Sequence, residues 1–196
     1  MITLCMDTSN IYLGLGLFKD DVLLAEKCYP CFKKQSEEIF PELITLLDNN
    51  NIKPLDIDEV VITRGPGSYT GIRIAMTIAK VFCKLGNKNL YTVNSLRLYA
   101  GNNDARVIID ARGKRVYTAK YENGKEIESP NIKEIKDLVI GEENIIGDGE
   151  LVGKENNWPN YIENFILVKD SWKLEENIDL VVPEYLKESD SYLVGK

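Results

Sequence analysis

Three glycines spaced G-x-G-x-x-x-G, Gly65, Gly67 and Gly71 in "RGPGSYTGIR", stand between an apolar run and a strongly helical stretch. A strand, a glycine loop and a helix N-terminus can cradle a phosphate, because loop N–H groups and the helix dipole converge on one anion. Here the spacing is one residue longer than the dinucleotide fingerprint, and no acidic residue ends the next strand, 90–94. The Gly-Lys-Ser/Thr ending of a P-loop is also missing. A second reading is a tight turn: Gly65 and Gly67 adopt angles other residues resist, Pro66 stiffens the loop and Thr70 caps the helix.

Other chemistry is constrained by what the chain lacks. It has no histidine, which excludes a Ser-His-Asp triad, a Cys-His pair and every histidine metal site. Cys28 and Cys31 form a C-Y-P-C pair, the spacing of a redox dithiol or of half a zinc site. Zinc would need two more ligands from Cys5, Cys83 or carboxylates. A redox pair usually opens a helix, whereas this one trails a strand. The pair is expected to be incidental thiols in a reducing compartment.

The 196 residues carry a net charge of −7. Residues 1–95 hold 10 basic and 11 acidic side chains, and 96–196 hold 14 and 20, so the two halves have different surfaces. An acidic chain is poorly suited to grip nucleic acid alone, because phosphate contacts need Lys and Arg. No segment is apolar for long enough to span a membrane, and the N-terminus lacks a signal-peptide layout. The cytoplasm is the expected location.

The elements that must position these residues follow from periodicity. Strands are predicted at 2–7, 11–18 and 22–29 as an antiparallel meander. A helix is predicted over 36–50, with Ser36 as N-cap and Pro41 a kink or a tightened first turn. A strand at 59–63, a helix over 71–86 and a strand at 90–94 complete a β-β-β-α-β-α-β domain. "RVIIDARGKRVYTAKYENGKEI" then repeats the opening, with Asp110 ending its first strand as Asp7 ends the earlier one. A helix near 132–139, a strand near 144–147 and little regular order across 149–165 follow. The expectation is an α/β fold of two domains, 1–95 and a shortened 96–196, suggesting duplication as in actin and the sugar kinases.

Both predicted N-terminal helices are apolar on two sides. In the second, Ile74, Ile78, Val81 and Leu85 form one stripe, and Gly71, Ala75, Ala79 and Phe82 another. In the first, Ile39, Leu43 and Leu46 run beside Phe40, Ile44 and Leu47. Such helices either bury everything against each other or leave an apolar face for a second protein chain.

"MDTSN", "RGPGSYTGIRIAMTIAK", "VNSL", "IIDARGKRVYTAKY", "GDG" and "PEYL" occur in the order seen in the TsaB (YeaZ) family of bacterial tRNA threonylcarbamoyladenosine biosynthesis proteins, and the chain resembles that family over nearly its whole length. The resemblance implies an actin-like (ASKHA, ribonuclease H-like) fold and a non-catalytic subunit that activates the enzyme TsaD. It also implies help in recruiting TsaE, and contact with tRNA only through the complex. Nucleotide and metal belong mainly to the partners, with no intrinsic cofactor or metal. Family members pair through the two N-terminal helices, with TsaD or with themselves when alone. The residues this assigns to pairing are Ser36, Ile39, Phe40, Leu43, Ile44, Leu47, Gly71, Ala75, Ile78, Ala79 and Phe82. An arginine at Ala75 or Ala79 is then expected to block pairing and spare the fold.

Asp7, Thr8 and Ser9, with Gly65, Gly67, Ser68 and Gly71, would be a vestigial nucleotide loop. Many relatives begin the first helix with His-Ser, where this chain has Gln35-Ser36, a change a non-catalytic partner tolerates. Two rivals come from other classes. A stand-alone ATP-dependent small-molecule kinase would bind ATP tightly by itself. A peptidase has little support without histidine or a nucleophile–base pair.

Overall fold

The computed structural model describes residues 1–186; the last ten residues of the predicted second domain lie outside them. Ile2–Asp7 (β1), Tyr12–Lys19 (β2) and Val22–Pro30 (β3) pair antiparallel as the predicted meander. Glu59–Gly65 (β4) then adds parallel to β1, and Asn89–Asn94 (β5) parallel to β4. Strand parity assigns the side chains: Leu4, Met6, Val60 and Ile62 point to one face, Cys5 and Val61 to the other. Both faces are covered, so these strands are apolar on both sides.

The first face is covered by Gln35–Asn49 (α1) and Tyr69–Gly86 (α2). In α1, Ile39, Leu43, Leu46 and Leu47 recur at helical spacing and are buried. The helix continues through Pro41, and Lys34 rather than Ser36 occupies the N-cap position, with no side-chain cap. Its entry is fixed instead by Gln35, whose Nε2 donates to the Asn10 carbonyl at 2.9 Å.

Ser95–Ala100 (α3) leads into the second sheet, built from Ala105–Asp110 (β6), Arg115–Glu122 (β7), Lys125–Glu134 (β8) and Ile145–Gly147 (β9). Its order is β8-β7-β6-β9, with β6 and β9 parallel. That repeats the β3-β2-β1-β4 arrangement of the first sheet. The helix expected near 132–139 is absent; that stretch is the end of β8 and a single 3-10 turn, Ile135–Asp137. Between the sheets lies a shared core of α3, Tyr161, Ile162 and Phe165, the last from the short helix Asn164–Leu167 (α4).

The boundary at residue 95 separates the sheets but not the chain. Lys173–Leu174 (β10) returns to pair antiparallel with β5 at the edge of the first sheet. Beyond it, Lys80 Nζ donates to the carbonyls of Asp179 (2.9 Å) and Val181 (3.0 Å), and Glu184 N donates to Arg64 O (2.8 Å). The last described residues therefore form a strap along α2.

Candidate functional site

Asp7 ends β1 at the position where an actin-like hairpin would present a carboxylate. It is fully buried. Its Oδ1 accepts from Ser9 N at 2.8 Å and Thr63 Oγ1 at 2.5 Å, and its Oδ2 accepts from Tyr99 OH at 2.6 Å. Because Tyr99 gives its hydrogen to Asp7, Ser9 Oγ donates to Tyr99 at 2.6 Å. Burial, and then the Asp7 carboxylate, hold the Tyr99 phenol well above its ordinary range. This is a buried internal network, with Asp7 joining β1, β4 and α3.

The glycine loop is closed by the same hairpin. A Cβ on Gly67 would lie 2.2 Å from Ser9 O, and one on Gly71 would lie 2.0 Å from Thr8 O. Only glycine admits such an approach. Ser68 N donates to Ser9 O at 2.7 Å, and Gly71 N donates to Ser68 Oγ at 3.2 Å. Thr8 Oγ1 donates to Gly71 O at 2.6 Å and accepts from Ala75 N at 3.3 Å. Two N–H groups that a phosphate cradle would offer are thus already engaged. Ser68, not Thr70, caps α2. The glycines let the hairpin and the helix start meet backbone to backbone.

A cleft of about 780 Å³ runs between the halves. Ser9, Asn10, Ser68 and Thr70 line one side, and Asp110, Tyr117, Asp148 and Trp158 the other. Asp148 Oδ2 accepts from Asp110 N at 2.7 Å and Oδ1 from Trp158 Nε1 at 3.3 Å, while burial raises its pKa. Sequence reasoning passed over Asp148 and Trp158; the "GDG" stretch around Asp148 was the available signal.

Among the described residues no group of three or more Cys, Asp or Glu is placed to hold a metal. Cys31 packs into the core beneath α1, whereas Cys28 packs against the core between the sheets. Three residues apart, they pack into different cores, and both are free thiols. Burial pushes each thiol up to about 11.

The helix surface divides differently from the expectation. Gly71, Ala75, Ile78 and Ala79 of α2, and Ile39, Leu43 and Leu47 of α1, are buried within the chain. The small side chains of Gly71, Ala75 and Ala79 let α2 press against Thr8 and the sheet, while Ile39 and Ile78 line a groove between the two helices. What faces outward is Ser36, Phe40 (54% exposed) and Ile44 (57%) on α1, with Val81 (53%) and Leu85 (84%) on α2. Phe82 and Ile74 are half-buried. A groove of about 420 Å³ separates the helices, lined by Ser36, Phe40, Tyr69, Arg73, Ile74 and Thr77 among others.

Residues 31–152 match the family described as TsaD: tRNA N6-adenosine threonylcarbamoyltransferase. The TsaB protein of Bacillus subtilis (strain 168) is 37% identical over 131 residues, covering 63% of this chain and 57% of that protein. The TsaB protein of Escherichia coli (strain K12) is 31% identical over 134 residues, covering 63% and 58%. The matched stretch thus spans less than two thirds of either relative. In fold, the chain superimposes on YeaZ from Pseudomonas aeruginosa with a TM-score of 0.76 at 18% identity, covering 94% of this chain and 99% of that one. A second solved structure, a protein described as similar to YeaZ from that organism, gives 0.79 at 19% identity. The chain belongs to the tRNA N6-adenosine threonylcarbamoyltransferase (TsaD) family.

Proposed function

We propose that this chain is a non-catalytic subunit of a complex that makes threonylcarbamoyladenosine in tRNA. It binds and activates a TsaD-like subunit through the outer faces of α1 and α2, and helps recruit a TsaE-like subunit. The observation that carries this reading is a contrast. Asp7 and the glycine loop are closed by their own hydrogen bonds, while Phe40, Ile44, Val81 and Leu85 stand exposed on adjoining helices. Exposed apolar surface of this kind marks a protein–protein contact.

The same face accounts for self-association when the partner is missing. ATP and metal then reside on the partners, and tRNA is reached only through the assembly, as the −7 charge favours. The repeated sheet order supports an actin-like duplication whose second domain, 96–196, is a shortened copy. No helix among the described residues is long and apolar enough to cross a membrane, and we place the chain in the cytoplasm.

The test is to mix the purified chain with the TsaD-like protein of the same organism and follow labelled-threonine incorporation into tRNA. A stable complex is expected, with modification dependent on both proteins, a TsaE-like protein and the threonylcarbamoyl-adenylate supply. Full modification without this chain would overturn the proposal. Turnover by the chain alone, lost on Asp7→Ala, would overturn its non-catalytic part.

A further inference from the structure

The groove between α1 and α2 holds one charged side chain, Arg73, among apolar and hydroxyl groups, in a chain that is acidic overall. Arg73 is exposed but held. Its guanidinium carbon sits 4.1 Å from the centroid of the Tyr69 ring and 6.0 Å from that of Tyr185, and those rings stack at 5.3 Å and 23°. Arg73 Nε also donates to Tyr185 OH at 2.9 Å. Tyr185 belongs to the C-terminal strap, so residues far apart in sequence converge to fix one cation.

Among the described residues no carboxylate lies within ion-pair distance of Arg73. A guanidinium oriented by stacking loses little further freedom when a carboxylate arrives, and its planar donors suit two-pronged pairing. Phe40 and Ile74 border the same groove and supply apolar contact around it.

We infer that Arg73, clamped by Tyr69 and Tyr185, is the specificity-determining residue of this surface, and that the groove takes a partner helix presenting a carboxylate between aliphatic side chains. This rests on the proposed pairing with a TsaD-like subunit and names what that subunit must offer. Charge complementarity selects such a helix over an all-apolar one, which would bury the guanidinium without a partner. Because Tyr185 completes the clamp, the strap sets the geometry of recognition from outside the two helices.

The experiment measures association of the full-length chain with the TsaD-like subunit by calorimetry and by stopped-flow at several salt concentrations. Wild type is compared with Arg73→Met, Arg73→Lys and Tyr185→Phe, and melting temperature is recorded for each. Arg73→Met is expected to weaken association about tenfold or more and flatten its salt dependence, with melting temperature little changed. Arg73→Lys should recover the salt dependence but only part of the affinity, since an ammonium cannot form the fork. Tyr185→Phe should fall between wild type and Arg73→Lys.

A wild-type complex matched in tightness by Arg73→Met would overturn the assignment and leave the pairing standing. No complex with wild type would take down both. Equal loss in Arg73→Met and Tyr185→Phe, with a drop in melting temperature, would reduce Arg73 to an anchor of the strap. Two further outcomes would overturn the choice of occupant. One is a homodimer that dissociates in Arg73→Met while binding to the TsaD-like subunit is unchanged. The other is a chain ending at Leu186 that binds the subunit more tightly only when Arg73 is present.

Discussion

The two long stripes of α2 differ less in hydrophobicity than in size. The inner stripe runs from small, buried Gly71, Ala75 and Ala79 to half-buried Phe82; the outer one runs from half-buried Ile74 and buried Ile78 to exposed Val81 and Leu85. Small side chains let a helix axis approach its neighbour, and here the neighbour is the chain's own hairpin, with Thr8 bonded to both Gly71 and Ala75. Bulky side chains on the far side cannot be absorbed internally, because the sheet already occupies the inner face. On α2 the small residues mark the contact made with the hairpin, but size alone does not separate the faces, since Ile72, Met76 and Ile78 are buried as well.

The sharpest way to break this comparison is to place an arginine on each stripe. Ala75→Arg puts a charge into a fully buried site beside Thr8, and is expected to cost more than about 4 kcal/mol, a large part of a domain's stability. Circular dichroism and thermal melts should show a largely unfolded chain. A folded Ala75→Arg that merely fails to pair would restore the earlier view of that stripe as an interface. Asp7→Ala comes next, at about 3 kcal/mol, because the buried hydroxyls of Thr63 and Tyr99 lose a charged acceptor. Denaturant melts measure it, and a loss below about 0.5 kcal/mol would contradict the buried network.

On the outer stripe the signs separate. Leu85→Arg should move stability by no more than about 0.5 kcal/mol, while association with a TsaD-like subunit weakens about thirtyfold or more. Light scattering and melts on one sample would show both, and unchanged association would remove Leu85 from the interface. The smallest effect is expected where the strap crosses the same helix in water. Lys84 and Asp179 pair at 2.7 Å but are both largely exposed, so Asp179→Asn should leave the melting temperature unmoved.

Much of this could be read from residue types. The β-β-β-α-β-α-β order, the glycine loop and the repeat beginning before Asp110 all stand in the structure. Residues 132–139 misled, because "IKEIKDLV" carries good helix formers while pairing with β7 decides the outcome. β8 is an edge strand, where Pro130 is tolerated. α3 was missed because six residues are too few for a period to show; its signal is Asn94, whose Oδ1 accepts from Leu96 N and Arg97 N. The division of the helix stripes escaped because both are apolar at the same spacing, and periodicity carries no record of which neighbour a face meets.

The return of β10 to β5 has a consequence for how the protein is made. The edge of the first sheet is completed by residues that leave the ribosome 79 positions after β5 ends, counting from Asn94 to Lys173. At about 5–20 residues per second, that interval lasts roughly 4–16 s. Throughout it, Tyr91 and Thr92 on the nascent chain lack the strand that covers them in the finished protein. Each new copy therefore carries a temporary adhesive edge during translation, until Lys173 and Leu174 emerge to cover it.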